Sequence, residues 1–157
     1  MLIMGLFGHD DIISLKNKRD IFGLQNILEN TKDRPLRIAA AEALGTIKDD
    51  RSVSSLLSVL NHDSEEVRIF AALALGKIGN QRAVLPLIGS LGDNHHIVRE
   101  SAAIALGALG DSRAIAPLHK ALDDPYEEVR KAAADSLDTL DEEDTGCLSY
   151  RQIGTCG

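Results

Sequence analysis

His95 and His96 stand side by side, and the remaining histidines, His9, His62 and His119, form no second pair. Adjacent residues on a helix point in different directions, so one metal would need a third ligand from elsewhere before both could hold it. A turn that caps a helix is the expected place for the pair. Cys147 and Cys156 both fall at the end of the sequence, and their separation fits no common zinc spacing. A flexible tail with reduced thiols is the expectation there, with a tail disulfide as the alternative. The sequence contains no GxxxxGK[ST], HExxH, GxSxG or GxGxxG. No catalytic residue, metal site or cofactor is therefore expected.

The arginines are more orderly. Arg37, Arg68, Arg99 and Arg130 recur with a constant step of 31 residues. The same step links Ala40, Ala71, Ala102 and Ala133, then Ala41, Ala72, Ala103 and Ala134, then Leu44, Leu75, Leu106 and Leu137. Gly45, Gly76 and Gly107 follow until Asp138 breaks the column. A second set comprises Arg51, Arg82 and Arg113, with Val53, Val84 and Ile115 behind it. Residues present in every unit are most simply explained by the lattice that the units share. The arginine ladder is accordingly expected to bridge successive inter-helix turns, with an anion-binding strip as the alternative.

Within each period the apolar spacing is helical: Val67, Ala71, Ala74, Leu75 and Ile78 lie on one face. This second helix, B, should follow a capping turn such as 61–64, with Asp63 and Glu66 at capping-box spacing. Gly79 and Gly110 should end it in the left-handed conformation. A first helix, A, precedes the turn, as in 82–91, with Pro86 near its start. The pairs make four hairpins, at about 19–49, 50–80, 81–111 and 112–142. Residues 1–18 are expected to cap the first hairpin, and 143–157 to form the tail. Ser136, Asp138 and Thr139 should give the last unit a polar outer surface.

The pattern VRxxAAxALGxIG followed by xRAVxPLIxxL resembles the HEAT-like repeat named after phycobilisome lyases, over about residues 19–140. The resemblance implies an all-α, right-handed α-solenoid with A helices on the convex side and B helices lining the concave one. It also implies a family mostly built for binding. HEAT-like hydroxylases of the deoxyhypusine type hold iron with repeated His-Glu dipeptides, and this chain has none. Bilin lyase subunits share the repeat, which leaves a lyase-type or chaperone-like subunit acting on a chromophore protein as the alternative to a scaffold.

Positions that vary between units on the B face are where a partner would be selected. In the middle units they carry Ile69, Phe70, Leu73, Ile97 and Ile104, with Ile38 alongside and Lys77 and Glu100 among them. Contiguous exposed apolar surface marks interaction sites. The expectation is a concave groove that accepts another protein, through an apolar segment with some positive charge. Burial of these residues by tighter curvature is the alternative, and a homodimer through the same patch is a further arrangement. With 17 Lys+Arg against 24 Asp+Glu the chain carries a formal charge of −7, which disfavours nucleic acid and anionic membranes as partners. Met1 to Phe7 is apolar but too short to span a membrane, and no Lys or Arg precedes Lys16. A cytoplasmic location is the expectation.

Overall fold

The computed structural model describes residues 8–145, with side chains described as far as Asp141. The expectations for the apolar start and for Cys147 and Cys156 lie outside these residues. Among them there are helices and turns but no strand. In order they are α1 (His9–Asn17), α2 (Ile21–Asn30), α3 (Arg34–Ile47), α4 (Val53–Leu60), α5 (Glu65–Ile78), α6 (Val84–Ser90), α7 (His96–Leu109), α8 (Ile115–Ala121) and α9 (Glu127–Thr145). The hairpins are α2/α3, α4/α5, α6/α7 and α8/α9, stacked as an all-α solenoid. α1 lies on α2 and α3 and buries Ile12 there, and α9 continues past residue 142.

The A helices start later than apolar spacing alone suggests. Short 3-10 turns, Asp50–Ser52, Gln81–Ala83 and Ser112–Ala114, precede α4, α6 and α8. Their cause is one residue upstream: the side chains of Asp49, Asn80 and Asp111 accept hydrogen bonds from the backbone N–H of Arg51, Arg82 and Arg113. An Asx side chain bonding two residues ahead closes a tight turn before the α-helix can begin.

The capping box expected at Asp63 and Glu66 is not formed. Ser64 is the N-cap of α5 and makes no side-chain cap bond. The Asp63 carboxylate accepts from Ser64 N–H and is otherwise occupied by Arg37, while Glu66 pairs with Arg34 at 3.1 Å. At the other end of the B helices Gly79 and Gly110 have φ of 81° and 66°, as a left-handed cap requires. In the first unit the cap is Lys48, with φ 56° and ψ 48°. A residue with a Cβ pays a steric penalty in that conformation, so Lys48→Gly should raise stability by about 1 kcal/mol. An unchanged urea midpoint would show that the Lys48 side chain compensates locally.

One glycine column explains the spacing of the stack. A Cβ on Gly45 would lie 2.8 Å from Ala74 Cα, and one on Gly76 2.8 Å from Ala105 Cα. On Gly107 it would lie 2.5 Å from Ser136 Oγ. The B helices therefore touch backbone to small side chain, and Ala41, Ala72 and Ala103 are fully buried in the same layer. Asp138, the fourth member of the glycine column, is exposed, having no further helix to face among the described residues. Ser136 corrects the expectation of an outer polar cap. It is buried against Gly107 and donates a 2.8 Å hydrogen bond to the Ala103 carbonyl, so only Asp138 and Thr139 of that trio face outward.

Candidate binding face

The B helices α3, α5, α7 and α9 pack on one another along their lengths, whereas the A helices meet their neighbours at few points. A stack that is tight on one side and open on the other curves toward the tight side, so the B helices line the inner face. The column that follows the paired alanines, Glu42, Leu73, Ile104 and Asp135, and the column after the glycine, Thr46, Lys77, Ala108 and Thr139, are exposed there except for half-buried Leu73.

The expected partner residues divide into two groups on this geometry. Ile97 and Ile104 are exposed apolar side chains, at 39% and 45%, and Lys77 is exposed beside them. Ile69, Leu73 and Glu100 are half-buried. Ile38 and Phe70 are half-buried and packed against the core, which corrects their placement on a face turned away from it. Phe70 belongs to the second column after the arginine, with Ala39, Ser101 and Ala132, and that column points inward: Ser101 and Ala132 are buried. The sequence view also concentrated on the B face and so passed over Phe22 and Leu85, which are 81% and 63% exposed on α2 and α6. Their signal was available, since Phe22, Ser54, Leu85 and Ala116 occupy one position of the A helices.

An open groove of about 610 Å³ runs between α7 and α9 on the inner face. Glu100, Ile104 and Ala108 line it from α7, and Glu128, Lys131, Asp135 and Thr139 from α9, over a floor of Gly107, Ala132 and Ser136.

Along the turns the arginines form continuous clasps. The Arg37 guanidinium bonds both oxygens of Asp63 and donates to the Leu28 carbonyl at 2.8 Å. Arg68 holds Asp93 through two bonds of 2.9 and 2.8 Å and also bonds the Asp63 carbonyl. Arg99 holds Asp124 at 2.7 and 3.0 Å and bonds the Asp93 carbonyl. Each arginine thus ties its own turn to the turn of the next unit. Arg130, at the end of the row, bonds only the Asp124 and Pro125 carbonyls among the described residues. For Asp124 the Arg99 guanidinium holds the carboxyl below its ordinary value against partial burial. For Asp93 burial pushes upward, but Arg68 and the His95 N–H outweigh it and the net shift is down.

His95 is the N-cap of α7 and His96 its first residue. Their rings stack at 5.2 Å, and His96 stacks on Tyr126 of the next unit with centroids 4.1 Å apart and planes 7° apart. Arg99 lies 5.6 Å from the Tyr126 ring centre. The pair is thus part of a packed contact between units three and four. No group of three or more metal-binding side chains is assembled among the described residues, and no helix among them is long and apolar enough to cross a membrane.

The family model for HEAT repeats matches residues 22–106 and 85–146. The chain is a HEAT-repeat protein. Among solved structures, this HEAT-repeat protein is similar to the complex of CpcE and CpcF of phycocyanin lyase from Nostoc sp. PCC7120, with a TM-score of 0.73 and 28% identity. That match covers 86% of this chain and 59% of the lyase chain. Human deoxyhypusine hydroxylase in complex with glycerol matches with a TM-score of 0.70 and 22% identity, over 88% of this chain and 50% of that one, and speaks for the fold alone. The HEAT-repeat protein thus spans 59% of the length of the first structure and 50% of the second. A search of curated proteins gives no significant match.

Proposed function

We propose that this HEAT-repeat protein is a non-catalytic scaffold or adaptor whose concave B-helix face holds a segment of another protein. The observation that carries the reading is the presence of exposed Ile97 and Ile104 on an inner face where the carboxylates Glu42, Glu100, Glu128 and Asp135 outnumber the cations Lys77 and Lys131. An apolar centre with a charged rim is the usual anatomy of a protein contact. The partner segment carries apolar anchors and some positive charge, while nucleic acid and anionic membranes are disfavoured by the net charge of −7. A cytoplasmic setting goes with this reading.

The test uses Ile97→Asp and Ile104→Asp, because Phe70→Asp would put a charge against the core. Both variants should stay folded by circular dichroism and lose the protein that wild type retains from a lysate of the source cells. The captured protein, once purified, should bind wild type at least tenfold more tightly than either variant. Equal binding by all three would remove the concave face from consideration, and wild type that forms only dimers would replace the partner by a second copy.

A second reading is favoured by the match to the phycocyanin lyase complex: a lyase-type or chaperone-like subunit acting on a chromophore protein. The lyase structure is itself a complex of two proteins, which accords with work in partnership. Absorbance changes on mixing with a linear tetrapyrrole and its apoprotein would favour this reading, and an unchanged spectrum would leave the scaffold.

A further inference from the structure

The inner face changes character from one inter-helix groove to the next. Between α5 and α7 the positions are Ile69, Leu73 and Lys77 against Ile97, Glu100, Ile104 and Ala108, mainly apolar with one cation and one carboxylate. One unit further, between α7 and α9, the lining becomes Glu100 against Glu128 and Asp135, with Lys131 as its single cation. Glu100, Glu128, Asp135 and Lys131 make no side-chain hydrogen bond or ion pair among the described residues, although Lys131 stands three and four positions from two of the carboxylates on α9. The acidic groove keeps apolar surface as well: Ile104 and Ala108 are exposed along one wall, above a floor of Gly107 and Ala132.

The chain itself shows what satisfies a carboxylate in this row. Glu66 on α5 pairs across the helix-helix contact with Arg34 of α3. Two units later Glu128 occupies the position of Glu66, but the position corresponding to Arg34 two units on is His96, whose ring is engaged with Tyr126. Glu128 is therefore a carboxylate in an arginine-matched position without its arginine.

We infer that the groove between α7 and α9 is a subsite for an arginine side chain of the bound protein segment. Arginine fits both parts of the lining: its alkyl stem lies along apolar surface while its planar fork meets carboxylates from two helices. Neighbouring B helices are about 8–10 Å apart. In an extended segment side chains two residues apart share a face at about 6.7 Å, so an apolar anchor on the α5/α7 groove precedes or follows that arginine by two residues, and the long arginine stem spans the remainder. The inference rests on the concave-face reading above and adds to it the chemistry and order of the ligand.

The test titrates the full chain with acetyl-Leu-Ala-Arg-amide and with its citrulline counterpart, which keeps the shape and removes the charge. Amide NMR is the readout. The arginine peptide should shift Ile104, Ala108, Ala132 and Thr139 and bind about tenfold more tightly than the citrulline peptide. In the folded double variant Glu128→Gln, Asp135→Asn that preference should vanish, while shifts at Leu73 and Ile97 remain. Equal binding of the two peptides, an arginine peptide that leaves Ile104, Ala108, Ala132 and Thr139 unshifted, a preference that survives the double variant, or no binding by either peptide would each overturn the subsite. Because the concave-face reading is decided by the Ile97 and Ile104 variants and the captured partner, it can stand when the arginine subsite fails. Equal partner binding by wild type and both isoleucine variants would instead mark failure of the concave-face reading, whatever the peptides do.

Discussion

Gly76→Val is expected to destabilise the protein by about 3 kcal/mol. A Cβ at this position would sit 2.8 Å from Ala105 Cα, and the obstacle is backbone rather than a flexible side-chain end. Relief requires α5 and α7 to separate, which loosens the fully buried Ala72 and Ala103 in the same layer. The comparison that isolates this cause is Asp138→Val, the same column in the last unit. There the side chain is exposed, and the change should cost less than about 1 kcal/mol. Urea denaturation of both variants is the measurement. Similar losses would mean that β-branching in the helix, not the approach of the next helix, sets the penalty.

The second large effect is at the arginine clasps. Arg99 and Asp124 are only 12% and 10% exposed, and removing the guanidinium leaves a largely enclosed carboxylate and two turn carbonyls without their donor. Arg99→Ala should cost about 3 kcal/mol. Arg130→Ala, which removes bonds to carbonyls but no ion pair, should cost clearly less. Acid provides an independent check. The folded-state pKa of Asp124 is depressed, so its contribution is complete above the ordinary aspartate range near pH 3.9 and is lost as pH falls through the lower folded value. Asp49 and Asp111, lowered to about 2 by the Arg51 and Arg113 side chains, titrate out in the same direction. Wild type should therefore weaken from about pH 4 downward, and Arg99→Ala should lose less over that interval because Asp124 no longer has its partner. Parallel pH dependences would sink the assignment.

The period, the four hairpins and the two left-handed glycine caps were legible because each leaves a mark at a fixed step. What was hidden depended on distance between units. The arginine column was plain, but its acceptors Asp63, Asp93 and Asp124 are not spaced by a constant step, so they do not read as a column. The glycine column was equally plain, yet its reason, an alanine or serine 29 residues further on, appears only when the helices are set side by side. At the candidate face, Ile97 and Ile104 are exposed as their variable positions in the repeat imply, whereas Phe70 packs against the core. Its column holds Ala39, Ser101 and Ala132 in the other units, residues small or polar enough to pass for surface positions. Lys48 escaped notice because a lysine does not advertise a left-handed backbone.

A stack whose B helices press backbone against methyl while its A helices barely touch behaves mechanically as a beam with its stiff layer on one side. Bending moves the loosely joined flanges and leaves the close-packed layer near constant length, so thermal flexing is absorbed in the A-helix gaps. The spacing of side chains along the inner surface then works as a fixed ruler. A ligand whose anchors match that ruler meets a surface already at the required pitch, and one whose anchors are a residue too close or too far finds no compliance in the direction it needs.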